Sequence, residues 1–197
     1  HAPDDRIRLE LLREAARLQE QRGGDAASAL GSVGRAFVLE PSNALLEREL
    51  MRLAEATGQW SDAAEALRQG AEQLGDSRED SLRAAHLRAT EADLHERLLE
   101  QPDEALAANV AALALDPSRI ACAEALVRLG ETTGQWDTVE QALSRAAQTE
   151  AVTEKHLRLL AQVQRRSPSR DLYDTLTRLT AFVDADLDPR WEAAHLA

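Results

Sequence analysis

The chain has 197 residues and a formal net charge of −12, with 44% hydrophobic residues of which few are aromatic. An acidic balance of this size argues against a general binder of nucleic-acid phosphates, which needs a basic footprint. Apolar content made of Ala and Leu, rather than β-branched or aromatic side chains, favours helices over strands.

Leu9, Leu12, Ala15 and Ala16 recur at helical spacing and predict a first helix over 8–21. Gly23 and Gly24 end it, Asp25 caps a second helix over 26–39, and Pro41 closes that one because proline cannot continue the hydrogen-bond ladder. Ser42 or Asn43 caps a third helix through Thr57, with Leu46, Leu50, Leu53 and Ala54 on its inner face. Gly58 stops it, and Ser61 is expected to cap a fourth that reaches about Leu74. A longer helix follows over 81–99, then one opening at Pro102 and ending before Pro117. Helices over 118–132 and 137–149 come next, then one over 156–165. Ser167, Pro168 and Ser169 break the chain before a helix over 170–183. A turn over 184–189 leads to a last helical pattern that carries Trp191 and stops at Ala197.

The tail of the first half is written again 76 positions later. Pro41-Ser42 recurs as Pro117-Ser118 and Gly58-Gln59-Trp60 as Gly134-Gln135-Trp136, with Leu50/Leu126, Arg52/Arg128, Leu53/Leu129, Glu55/Glu131 and Leu67/Leu143 at the same offset. A fixed period means one structural unit used again, and stacked units bury a core only against their neighbours. The unit divides into two helical hairpins, giving hairpins at about 5–40, 42–75, 78–116, 118–149 and 152–184, with a truncated next unit over 188–197. Short loops make successive helices antiparallel, and with no Gly-, Ser- or Pro-rich linker residues 1–197 read as a single solenoid. A start at His1 and a pattern cut at Ala197 read as a piece of a longer array, whose expected compartment is the cytoplasm, any leader lying outside it. No apolar run approaches the ~20 residues that a membrane span requires.

These residues resemble the tetratricopeptide repeat. Ala29, Ala36 and Pro41 match its two small positions and following proline, as do Ala105, Ala112 and Pro117. Gly58-Gln59-Trp60 with Ala63 and Gly70, and Gly134-Gln135-Trp136 with Ala146, match the glycine, aromatic and small residues of the alternate hairpins. Gln19 and His95 stand where the family often has tyrosine. The resemblance implies an all-α, right-handed superhelical solenoid of antiparallel helix hairpins, whose first helices line a concave face that holds peptides.

Carried over, that face presents Glu10, Arg13, Arg17, Glu20 and Gln21, then Leu45, Arg48, Arg52, Glu55 and Ala56, then His86, Ala89, Asp93, Glu96 and Arg97, then Ala121, Glu124, Arg128, Glu131 and Thr132. Arg13/Arg17 and Arg48/Arg52 are like-charged pairs one turn apart. With His86 and Arg128 they are the candidate peptide-binding residues, the arginine fork being suited to carboxylates. The competing reading is a solvated face whose arginines are neutralised by Glu10, Glu20 and Glu55 in surface pairs worth ~0.2–1 kcal/mol. Trp60 and Trp136 are expected to pack on the preceding helix, and Trp191 to leave an apolar end that invites end-to-end association of copies.

No catalytic constellation or cofactor site is legible. Cys122 is the single cysteine, expected as a small buried hydrophobe. Glu91 and His95 share a helix face, and Glu192 and His195 have the spacing of a di-iron helix, but the further glutamates such a centre needs are missing, so no metal is expected. The function expected is a non-catalytic scaffold that binds a peptide or helical segment of another protein. The alternative is an architectural spacer or self-assembly segment of a larger protein.

Overall fold

The computed structural model describes residues 3–166 and 170–180, and these form ten helices with no strand among the described residues. They gather into two compact units, His1–Ala108 and Asn109–Ala197.

In the first unit, α1 (Pro3–Gly23) and α2 (Ala26–Leu39) form one hairpin, α3 (Ala44–Thr57) and α4 (Trp60–Gln73) the next, and α5 (Arg78–Arg97) begins a third. Local chemistry sets most of the ends. Asp25 caps α2 by accepting from the Ser28 N–H at 2.9 Å, and Asn43 caps α3 by accepting from the N–H groups of Leu45 and Leu46. Two expected helix starts are corrected. Ser61 lies inside α4, which starts from Gln59 with no side-chain cap, and α5 starts at Arg78 because Ser77 takes the Asp80 N–H at 3.1 Å.

The period is visible in the backbone. Gly58 and Gly134 end α3 and its repeat α7 in the left-handed conformation, at φ 70° and 72°. Gly24 after α1 has φ 60°, and Glu100, its equivalent after α5, has φ 55°. A side chain in that region costs ~1–2 kcal/mol, so the turn geometry has been kept where the glycine has not.

Packing follows the small residues. Ala29, Ala36, Ala63 and Ala64 are buried, and α2 lies against both α3 and α4. Gly70 of α4 meets the fully buried Phe37 of α2 so closely that a Cβ there would stand 2.7 Å from the ring. One core joins these residues to Leu50, Leu53 and Leu67, and through the contact of α4 with α5 to Leu87 and Leu94.

The division between the units falls within α6 (Pro102–Leu115). The second unit continues with α7 (Ile120–Thr133), α8 (Trp136–Ala147), α9 (Glu154–Gln164) and α10 (Arg170–Leu179). Ser118 does not cap α7. Its N–H and hydroxyl turn back onto Asp116, and α7 begins at Ile120, two residues later than the expected start at 118. α9 packs on α7 and α8, and α10 on α9. Cys122 is buried on α7. The expected turn over 184–189 and Trp191, Glu192 and His195 lie outside the described residues.

In each unit a side chain from a later hairpin faces the carbonyl of the repeated proline. Arg83 of α5 donates to the Pro41 carbonyl through Nε (3.0 Å) and Nη2 (2.8 Å). In the second unit His156 of α9 faces the Pro117 carbonyl. Its Nδ1 accepts from the Thr153 N–H at 3.2 Å, which leaves the ring proton on Nε2, and the carbonyl favours that proton without a hydrogen bond of good geometry.

Replacing Glu100 by glycine should raise stability by about 0.5–1 kcal/mol, because relief of left-handed strain exceeds the added freedom of the unfolded chain. Urea unfolding of the two proteins checks this, and a lower midpoint for Glu100→Gly would contradict it.

Candidate functional site

The candidate site is built on α3. Its cap at Asn43 and its stop at Gly58 fix 14 residues, of which Leu46, Leu50, Leu53 and Ala54 face the core. The opposite stripe borders a hollow of about 490 Å³ lined by Ala44, Glu47, Arg48, Met51, Arg52, Glu55 and Trp60. Trp60 and Met51 serve two surfaces at once, since both are half-buried, pack on the core and line the hollow. The expected packing of Trp60 is thus part of its situation.

The six sequence-derived residues fall into different settings. Arg52 is clasped twice, by Glu49 (Nε 3.0 Å, Nη2 2.7 Å) and by both oxygens of Glu20 on α1 (2.8 Å each). Those carboxylates, Glu49 foremost, hold it more firmly protonated than an ordinary arginine, and Arg52 in turn lowers Glu49 below the usual carboxylate range. Arg17 is held by Glu14 on the same helix at 2.8 and 3.0 Å, an exposed pair. Arg48 donates only to its own helix, at the Ala44 carbonyl (3.3 Å), and has no carboxylate partner among the described residues. Arg13 is exposed and makes no side-chain bond among them. His86, on α5, lies 3.1 Å from Glu47, and Arg128 is exposed on α7 in the other unit.

Sequence reasoning passed over Glu47, which joins α3 to α5. One carboxylate oxygen meets Arg83 at 2.6 Å and the other meets His86, with Glu47 largely buried. Position 47 lies one step round the helix from the Arg48 stripe, and its pairing with residues about 40 positions away leaves no local signal.

The repeated tryptophan differs in its setting. Over Trp136 lies the guanidinium of Arg166, 3.9 Å from the ring centroid, a cation–π contact. Arg166 can reach the ring because α9 stops at Gln164. In the first unit the equivalent position is Thr90, still inside α5, whose hydroxyl is spent on the His86 carbonyl. Trp60 therefore faces the hollow without such a cover.

A second polar cluster sits where α5 meets α4. Glu91 is only 4% exposed and lies beside Arg88, at 2.8 Å, and His95, at 3.9 Å. Its carboxyl is pushed up to about 7, chiefly by burial, against the pull of Arg88 and Arg68 and with help from Glu65 and Glu72 on α4. Among the described residues no group of three metal-ligating side chains comes together, and no helix is long and apolar enough to cross a membrane.

Helix pairs joined through two-residue turns at 24–25, 58–59 and 134–135, small buried residues and a proline two residues after α2 and α6 follow the pattern that the sequence resembles. The described residues pair into helical hairpins, the architecture that the resemblance implies. No protein-family model matches it, and no curated protein matches it. Among solved structures it is similar to TTC0263, a thermophilic TPR protein of Thermus thermophilus, at 18% identity over 98% of each chain with a TM-score of 0.36. It is also similar to TPR-like repeats of a putative kinesin light chain of Podosopora anserina, at 19% identity over 92% of this chain and 96% of that one, TM-score 0.40. A third is MamA from Desulfovibrio magneticus RS-1, at 14% identity over 88% and 94%, TM-score 0.37.

Glu91 gives a pH prediction. A carboxyl raised when folded contributes stability below its unfolded value near 4.5, and that contribution is lost as pH rises through about 7. His156, lowered chiefly by burial, acts oppositely, since stability falls as pH drops below its ordinary 6.5. Glu91→Gln should therefore be more stable than wild type at pH 8, by ~1–3 kcal/mol, and nearly equal to it at pH 5. Thermal unfolding at both pH values measures the difference, and an equal gap at both would refute it.

Proposed function

We propose that this chain is a non-catalytic scaffold for protein–protein interaction, holding a peptide or helical segment on the face formed by the first helices of its hairpins. In the first unit that face carries Arg13, Arg17, Arg48, Arg52 and His86, and in the second unit Arg128 has the corresponding place on α7. The observation that carries the proposal is the hollow on α3, where Arg48 stands without a carboxylate partner beside the apolar surfaces of Met51 and Trp60. A guanidinium beside apolar ground suits a peptide carboxylate with a neighbouring apolar group. Arg17 and Arg52 already hold intramolecular carboxylates, so their part is to position neighbours or to exchange partners at modest cost.

The test is affinity capture from a lysate of the source cells. Arg48→Glu/Arg52→Glu should recover specific partners at a tenth or less of the wild-type level, while Arg35→Glu, exposed on α2, should recover them fully. Unchanged recovery with the double variant, its helicity intact by circular dichroism, removes the α3 face from the account.

An architectural role is the second reading, favoured by α1. Ile7 and Leu11 are 58% and 66% exposed, whereas Leu87, the equivalent of Leu11 one period later, is fully buried in the core shared with α4. The same repeat position is thus covered by a hairpin on α5 and open on α1. Stacking of a helical hairpin there, from another copy of the chain, would bury it. Sedimentation velocity should then show self-association that Leu11→Glu abolishes, and a wild-type monomer at all concentrations would end this reading.

A further inference from the structure

From the two tryptophan settings we infer that the hollow on α3 has a cation subsite formed by Trp60 and Glu55, and that the segment bound there carries a basic side chain about three residues from an acidic one. The inference rests on the peptide-scaffold reading above and narrows it to a partner of mixed charge.

The molecule supplies its own example of the contact. Trp136 and Trp60 occupy the same repeat position, and Trp136 is stacked by the Arg166 guanidinium at 3.9 Å. The first unit has threonine where that arginine would come from, and its helix continues through the position, so the ring of Trp60 borders open space instead. Glu55 lines the same space, is exposed, and has no ion pair or hydrogen bond among the described residues. A ring face beside an uncompensated carboxylate attracts a guanidinium or ammonium group.

The arginines of the hollow do not cancel this. The charge of Arg52 is balanced by Glu49 and Glu20. Arg48 lies seven residues before Glu55 on one helix, about 10 Å away at 1.5 Å per residue, which is roughly one Debye length at 0.1 M salt. The two ends of the hollow therefore carry charges of opposite sign about two helical turns apart. An extended peptide advances about 3.3 Å per residue, so three residues span that distance. A carboxylate at Arg48 and a cation at Trp60 and Glu55 can be met by one segment. The chain's net charge of −12 adds a general attraction for the basic end.

The test uses the full chain on an array of capped heptapeptides in which one acidic and one basic residue are placed at every spacing, with glutamine and asparagine replacements as controls. Peptides with the charges three apart should be retained best, and replacing their basic residue should weaken retention about three- to thirtyfold. Glu55→Gln, an exposed change that leaves the core intact, should shrink that preference, Trp60→Phe should keep most of it, and Trp60→Ala should lose it. Arg48→Gln should remove the acidic preference and leave the basic one. Retention that depends on the acidic residue alone, or a basic preference unaltered by both Glu55→Gln and Trp60→Ala, overturns the cation subsite and leaves the scaffold standing. Retention of no peptide on the array overturns the scaffold reading itself.

Discussion

The contact on which the first unit depends is the close approach of α2 and α4, made possible by side chains too small to hold two helices apart. At Gly70 a Cβ would stand 2.7 Å from the Phe37 ring, and Ala29, Ala36, Ala63 and Ala64 are buried on the same two helices. Dispersion and burial both fall steeply once facing surfaces separate, so a methyl group in the wrong place would weaken the whole crossing. Because α2 spends its surface on both α3 and α4, the outer stripe of α3 is released from packing. The hollow beside Trp60 is a by-product of that division of labour.

Charge on the released stripe is mostly settled within the chain. Arg52 shares two glutamates, and Glu47 shares an arginine and a histidine, so α3 is tied to α1 on one side and to α5 on the other. The exposed pairs of Arg52 contribute little stability singly, but together with the largely buried Glu47 they fix which groups are left over. What remains is Arg48 toward the start of α3 and Glu55 toward its end. Net charge alone would not have separated them, since it averages over a surface whose functional content lies in the exceptions.

Much of this was legible beforehand. Asp25, Asn43, Gly58 and Pro102 announced helix ends by local chemistry, and local chemistry is what a sequence records most directly. Ser61 misled because a serine just after an aromatic reads as a cap only if the helix starts there, and the chain was already helical from Trp60. The arginine stripe could be found from helical periodicity, but its pairing state could not. Glu20 is 32 positions from Arg52, and Glu47 is 39 from His86. Burial of Glu91 was equally hidden, since its repeat equivalent is Ala15 and periodicity marks the position as inward without saying what an acid does there.

The early end of α9 has a wider consequence. Trp60 and Trp136 descend through the same repeat, yet the ring at 136 is covered by Arg166, and what allows this is where the neighbouring helix runs out. Duplicated modules can thus acquire separate ligand preferences through the length of an adjoining helix as well as through lining residues, of which Arg52, Glu55 and Trp60 recur as Arg128, Glu131 and Trp136 while Arg48 is replaced by Glu124. Comparing the two tryptophans alone would score the sites as equivalent when the ring at 136 is already covered by the chain itself.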